Sequence, residues 1–143
     1  QMCIRDRKYI LPSYLWHQLG FDRHKLLFVN EVFCYKEYLK DGITKNRFKT
    51  LSRNPRGMAL YYAFFINRAL QDGRVPMDEI EEALMYWVRF SLYSESFLSV
   101  MRKSRHFRLP WAIRLRGLLR GVRRRRQDIV RLRFEDGEGG KRE

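Results

Sequence analysis

The stretch "PWAIRLRGLLRGVRRRRQ" constrains this chain more than any other part of it. At about 100° per residue, Trp111, Ala112, Leu115, Leu118, Leu119 and Val122 fall within roughly 60° of one line. Arg114, Arg116, Arg120 and Arg123 lie away from that line, and Ile113 is the misfit. A strand cannot keep this spacing, so the sequence predicts an amphipathic helix over 110–127. Its apolar stripe must be covered, either by the rest of the protein or by a lipid interface. Between residues 102 and 126 there are eleven Lys or Arg and no acid, most of the net charge of +14. The rest of the chain is only mildly basic, so anionic partners are expected to act at this one segment.

Beyond it, 143 residues with 45% hydrophobic and 15% aromatic content suffice for one core and argue against general disorder. Cys3 and Cys34 make no metal-ligand spacing and no disulfide framework, which fits a reducing compartment. No apolar run approaches the roughly 18 residues of a membrane span. His17, His24 and His106 share no zinc or dyad spacing. There is no G-x-G-x-x-G, no phosphate loop and no D-x-D. Glu79 and Glu81 have the spacing of a D-x-D, but they open a helix, where acids suit the dipole.

Along the chain, "LPSYLWHQLG" reads as a short helix with Ser13 as N-cap and Gly20 as its stop. Two extended segments, 25–29 and 32–38, follow, and "KDG" supplies a turn at Gly42. A helix over 45–52, N-capped by Thr44, breaks at Pro55. The next covers 56–71, with Met58, Tyr61, Tyr62, Phe65 and Ala69 on one face. Asp78, with Glu81 three residues on, is expected to cap a third. That helix carries one stripe of Ile80, Ala83, Leu84, Trp87, Val88 and Leu92, and a second of Tyr86, Phe90, Tyr93 and Phe97. Residues 128–143, with four basic and five acidic side chains, read as a disordered tail.

The opening "QMCIRDR" has its own explanation. Its seven residues match the in-frame translation of the end of a transposon-type sequencing adapter; the alternative is a genuine arm starting at Met2. On the adapter reading, residues 1–7 are set aside from fold reasoning and the chain is a 5′-truncated fragment.

From Lys8 onward, "SYLWHQL", "LLFVNEV", "EYLKDGITKN" and "NPRGMALYY" occur in that order. This series resembles the segment that follows the last catalytic elements in inverting family 2 glycosyltransferases of bacterial surface-polysaccharide synthesis. The likeness covers residues 8–62 well and the remainder weakly. It implies a mainly α fold with a short β-strand pair: the C-terminal part of an α/β A-type glycosyltransferase followed by a helical extension. Residues 8–52 would end the catalytic domain, 53–108 form the extension and 109–127 the basic amphipathic helix. The parent enzyme would move a sugar from a nucleotide-sugar donor to a glycan or lipid-linked acceptor. A divalent ion, Mg or Mn, would neutralise the donor diphosphate there. The fragment itself lacks the donor and metal sites, so it carries no cofactor and is expected to be inactive. The family also has an acid near the start of the Trp-bearing helix, serving as general base. None lies between Asp6 and Asp22 here, so the catalytic residues stay unassigned.

Trp16 and His17 are candidates for the acceptor side, or else an ordinary core Trp and a solvent His. Glu37, Tyr38, Asp41, Gly42 and Thr44 match the family turn, as active-site wall or as strand-to-helix geometry. Trp111, Leu115, Leu118, Leu119 and Val122, with Arg120, Arg123, Arg124, Arg125 and Arg126, have the composition of an interfacial helix. That implies a cytoplasmic protein, peripheral on the inner face of the plasma membrane. A rival reading is a small basic helical protein gripping RNA or DNA. In a third, the stripe packs on the rest of the chain and the arginines are merely solvated.

Overall fold

The computed structural model describes residues 13–25, 27, 30, 31 and 51–139, with side chains to 131. These residues are helical, with α1 at Ser13–Phe21, α2 at Pro55–Asp72, α3 at Met77–Ser91, α4 at Phe97–Ser104 and α5 at Trp111–Gly139. Residues 51–53 form the end of one more helical segment.

Local chemistry sets the boundaries. Asn54 Oδ1 accepts from Gly57 N–H at 3.4 Å and Pro55 occupies the first turn, so α2 starts where the chain can no longer extend backwards. Gly73, at φ 72°, ends it and returns its N–H to Ala69 C=O at 3.0 Å. Asp78 and Glu79 occupy the first turn of α3 and Arg89 the last, each favourable to the helix dipole. Ser96 caps α4 by accepting from Ser99 N–H at 3.3 Å.

The α2 and α3 helices form an antiparallel hairpin whose seam is aromatic. Tyr62 stacks on Tyr86 with ring centroids 5.1 Å apart and lies parallel to Phe90 at 6.2 Å. Ile66, Ala69, Leu84, Val88 and Val100 are fully buried, and Trp87 meets Phe107 edge-on at 5.0 Å. Side chains of this size contribute about 1.5–3 kcal/mol each when buried. The α4 segment then carries the chain back so that α5 lies parallel to α3. Gly117 faces Leu84, Gly121 faces Val88 and Met85, and Asp128 pairs with Arg89.

Several expectations are corrected. The mixed fold with a strand pair is replaced by an all-helical one: no strand occurs among the described residues. Most of the two extended segments, 25–29 and 32–38, lies outside the described residues, and Lys25 and Leu27 within them are in no strand. The capping box is absent, because α3 begins at Met77 behind Pro76, with no side-chain cap. Asp78 is therefore inside the helix, and Glu81 is turned to α5 instead. In the second stripe, Tyr86 and Phe90 lie against Tyr62 of α2, while Phe97 is 46% exposed. Helix α5 runs on through 128–139, where a disordered tail is expected from composition.

Candidate functional site

The candidate site is built on α5 and is decided by which face of that helix docks. The docking line passes through Gly117, Gly121 and Asp128, about 140° around the helix from the middle of the apolar stripe. Glycine costs roughly 1 kcal/mol in a helix interior, yet two stand four residues apart here. The reason is close approach: a Cβ at Gly121 would stand 2.6 Å from Val88 Cβ and 2.8 Å from the Met85 carbonyl. Only glycine lets α5 lie this near α3.

Charges fix the register at both ends of this contact. Glu81 accepts from Arg116 Nε and Arg120 Nη1, each at 2.9 Å. Asp128, buried, receives Arg89 in a fork of 2.6 and 2.7 Å and the Tyr93 hydroxyl at 3.2 Å. Burial opposes the charge on Arg89, but the Asp128 carboxylate outweighs it and its pKa is raised. The Arg125 guanidinium carbon sits 3.6 Å from the Tyr93 ring centroid. Its Nε and Nη1 are shielded from water and have no acceptor among the described residues.

The apolar stripe is consequently left largely uncovered. Leu118 is buried and Val122 half-buried, but Trp111, Leu115 and Leu119 are 72%, 46% and 63% exposed. Leu115, Leu118, Leu119 and Val122, together with Leu92, Phe97 and Met101, bound an open trough of about 1100 Å³ between α4 and α5, which Arg123, Arg125 and Arg126 also line. Arg120 is committed to Glu81, while Arg123, Arg124 and Arg126 are exposed, with Arg124 in reach of Gln127. The expected set of interfacial residues is thus divided, with Leu118, Arg120 and Arg125 engaged within the protein and the others facing outward.

The other candidates fare differently. His17 is half-buried against Tyr61 and Phe65, and its Nδ1 lies 2.8 Å from the Tyr61 hydroxyl. Burial holds the His17 pKa below its ordinary value, opposed by the Glu79 carboxylate, and burial also raises that of Tyr61. Burial thus favours the neutral imidazole and the protonated phenol, which share one hydrogen bond. Trp16, one residue back, is 60% exposed, so the pair is the reverse of a core Trp and a solvent His. Glu37, Tyr38, Asp41, Gly42 and Thr44 lie outside the described residues.

No group of His, Cys, Asp and Glu suited to a metal ion occurs among the described residues. No helix among them is long and apolar enough to cross a membrane. The ion-pair acceptors Glu81 and Asp128 escaped the reading of the sequence, since each looks like an ordinary acid in its own helix. The one available signal was the Gly117–Gly121 pair, which marks a docking face by the absence of side chains. Compared with protein-family models, curated proteins and solved structures, the chain matches none.

Proposed function

We propose that this chain supplies the membrane-facing, C-terminal helical region of a bacterial family 2 glycosyltransferase, carrying none of the donor or metal chemistry itself. The ordered series "SYLWHQL", "LLFVNEV", "EYLKDGITKN" and "NPRGMALYY" supports the enzyme class. The observation that carries the membrane reading is the orientation of α5, with Trp111, Leu115 and Leu119 outward beside Arg123, Arg124 and Arg126. Each cation near an anionic leaflet contributes about 1 kcal/mol, and an apolar stripe laid into the interface adds to it. An arm for nucleic acid could stack a base on Trp111 but needs no stripe of exposed leucines beside it.

The test is flotation of the chain with phosphatidylglycerol-containing and with pure phosphatidylcholine vesicles, beside RNA binding at two salt concentrations. Binding to the anionic vesicles alone is expected. Tight, strongly salt-dependent RNA binding without vesicle binding would refute it. The enzyme class is tested on the source DNA upstream of the Lys8 codon. An open frame encoding an acidic D-x-D is expected there, and a stop codon with a ribosome site would overturn the assignment. The chain alone is expected to turn over no nucleotide sugar.

A further inference from the structure

The trough beside α5 is shaped for something more specific than a flat surface. Its floor is apolar, made by Leu92, Phe97, Met101, Leu115, Leu119 and Val122. From Trp111 to Val122 the stripe extends about 16 Å along the helix, close to the apolar depth of one leaflet. Cations follow at once: by helical geometry Arg126 falls on the line of the stripe itself, with Arg123 and Arg125 to either side of it. The arginines therefore interrupt an apolar trough, with Leu115, Leu119 and Val122 on one side of them and Ile129 and Val130 on the other. Arg125 lies with its face on the Tyr93 ring, and its shielded Nε and Nη1 have no acceptor among the described residues. Nearby, Asp128 is already engaged by Arg89 and Tyr93.

We propose that the trough between α4 and α5 seats one anionic phospholipid, its phosphate at Arg123, Arg125 and Arg126 and one acyl chain along Leu115, Leu119 and Val122. This rests on α5 being the membrane-facing element, and it adds a stoichiometric site to general attraction for the surface. The phosphate brings a counter-charge to Arg123, Arg125 and Arg126, which have no ion-pair partner among the described residues, and the acyl chain covers apolar area that α5 leaves open.

The experiment titrates the chain with dihexanoyl-phosphatidylglycerol below its critical micelle concentration by calorimetry. The comparators are dihexanoyl-phosphatidylcholine and inorganic phosphate. Saturable binding of one lipid per chain is expected, weaker by roughly tenfold or more for the zwitterionic lipid. Inorganic phosphate is expected to bind more weakly still. Arg126→Gln should weaken the anionic lipid by a similar factor, and Leu119→Asp should abolish the advantage over inorganic phosphate. Both positions are exposed, and unchanged circular dichroism verifies that the fold is retained. Phosphate binding as tightly as the lipid would overturn the proposal, as would an Arg126→Gln variant that binds like the wild type. Vesicle binding with no saturable binding of monomeric lipid would overturn the site while leaving the surface reading intact. Failure of both would remove the surface reading as well.

Discussion

Replacing Gly121 by alanine sets two opposed effects against each other, and the structure decides between them. In an isolated helix the change is favourable by about 1 kcal/mol, because glycine has more backbone freedom to lose. In the bundle, the new methyl would stand 2.6 Å from both Cβ and Cγ1 of Val88 and 2.8 Å from the Met85 carbonyl oxygen. Ordinary carbon contacts lie at about 3.5–4.0 Å, so something must move by about 1 Å. Val88 is fully buried and β-branched, with a stiff χ1, and the Met85 carbonyl belongs to the α3 backbone. Neither can retreat cheaply, so α5 must shift, loosening the burial of Leu118 and the fork between Arg89 and Asp128. Overpacking of this kind costs about 1–3 kcal/mol, more where backbone is involved, which leaves a net loss of about 1–2 kcal/mol. Gly117→Ala is the internal control. Its methyl would meet Leu84 Cδ2 at 2.7 Å and Cγ at 2.9 Å, a side chain whose outer atoms can rotate aside. Its net effect is expected between zero and about 1 kcal/mol. Urea denaturation followed by circular dichroism should rank the wild type first, Gly117→Ala second and Gly121→Ala last. If both variants were stabilised by about 1 kcal/mol, helix propensity alone would govern and the close packing of α5 on α3 would be refuted.

Asp128→Asn strips the buried Arg89 guanidinium of its counter-charge and should cost about 3 kcal/mol, read from the urea midpoint. The double change Arg89→Met with Asp128→Leu should recover most of that loss; no recovery would mean the pair does more than neutralise itself. Glu81→Gln should cost at most about 1 kcal/mol, since both arginine partners are more than half exposed, and the loss should shrink in about 1 M salt. His17 gives a pH dependence. Its pKa is depressed by burial, so on acidification the unfolded chain takes the proton first. The stability held by the neutral ring is complete above about pH 6.5 and is lost as the pH falls below it. Tm measured from pH 8 to pH 5 should fall more steeply for the wild type than for His17→Gln, and superimposable curves would sink the assignment.

Much of the bundle was legible in the sequence because its signals are local. Asn54, Pro55 and Gly73 bracket α2, and the stripe from Ile80 to Val88 is the buried face of α3. The misreadings arise where a longer-range partner overrides a local pattern. Glu81 has the spacing of a capping box, but two arginines more than thirty residues away claim its carboxylate. The second, aromatic stripe shows in the sequence only as a periodicity, and it is Tyr62 of α2 that Tyr86 and Phe90 meet. For α5, hydrophobic periodicity identified the stripe correctly as a stripe and said nothing of which side would dock. Periodicity weighs side chains, and the docking face is made where two residues have none. The site was therefore partly legible: the stripe and its arginines were named as part of it, while the glycines and the acids Glu81 and Asp128 that decide which side docks were not.

The parallel placement of α3 and α5 has a consequence for the order of assembly. Helices α2 and α3 are joined through 73–76 and can zip together after a short loop closure, whereas a parallel partner requires the chain to travel back the length of α3 first. Helix α5 should therefore be the last to arrive and, by the same barrier, the first to leave. Its attachment relies on glycine contacts and ion pairs more than on large apolar side chains, so its amides should exchange with solvent well before those of the hairpin. The element that faces outward to its target is then also the one most easily released from the body that carries it.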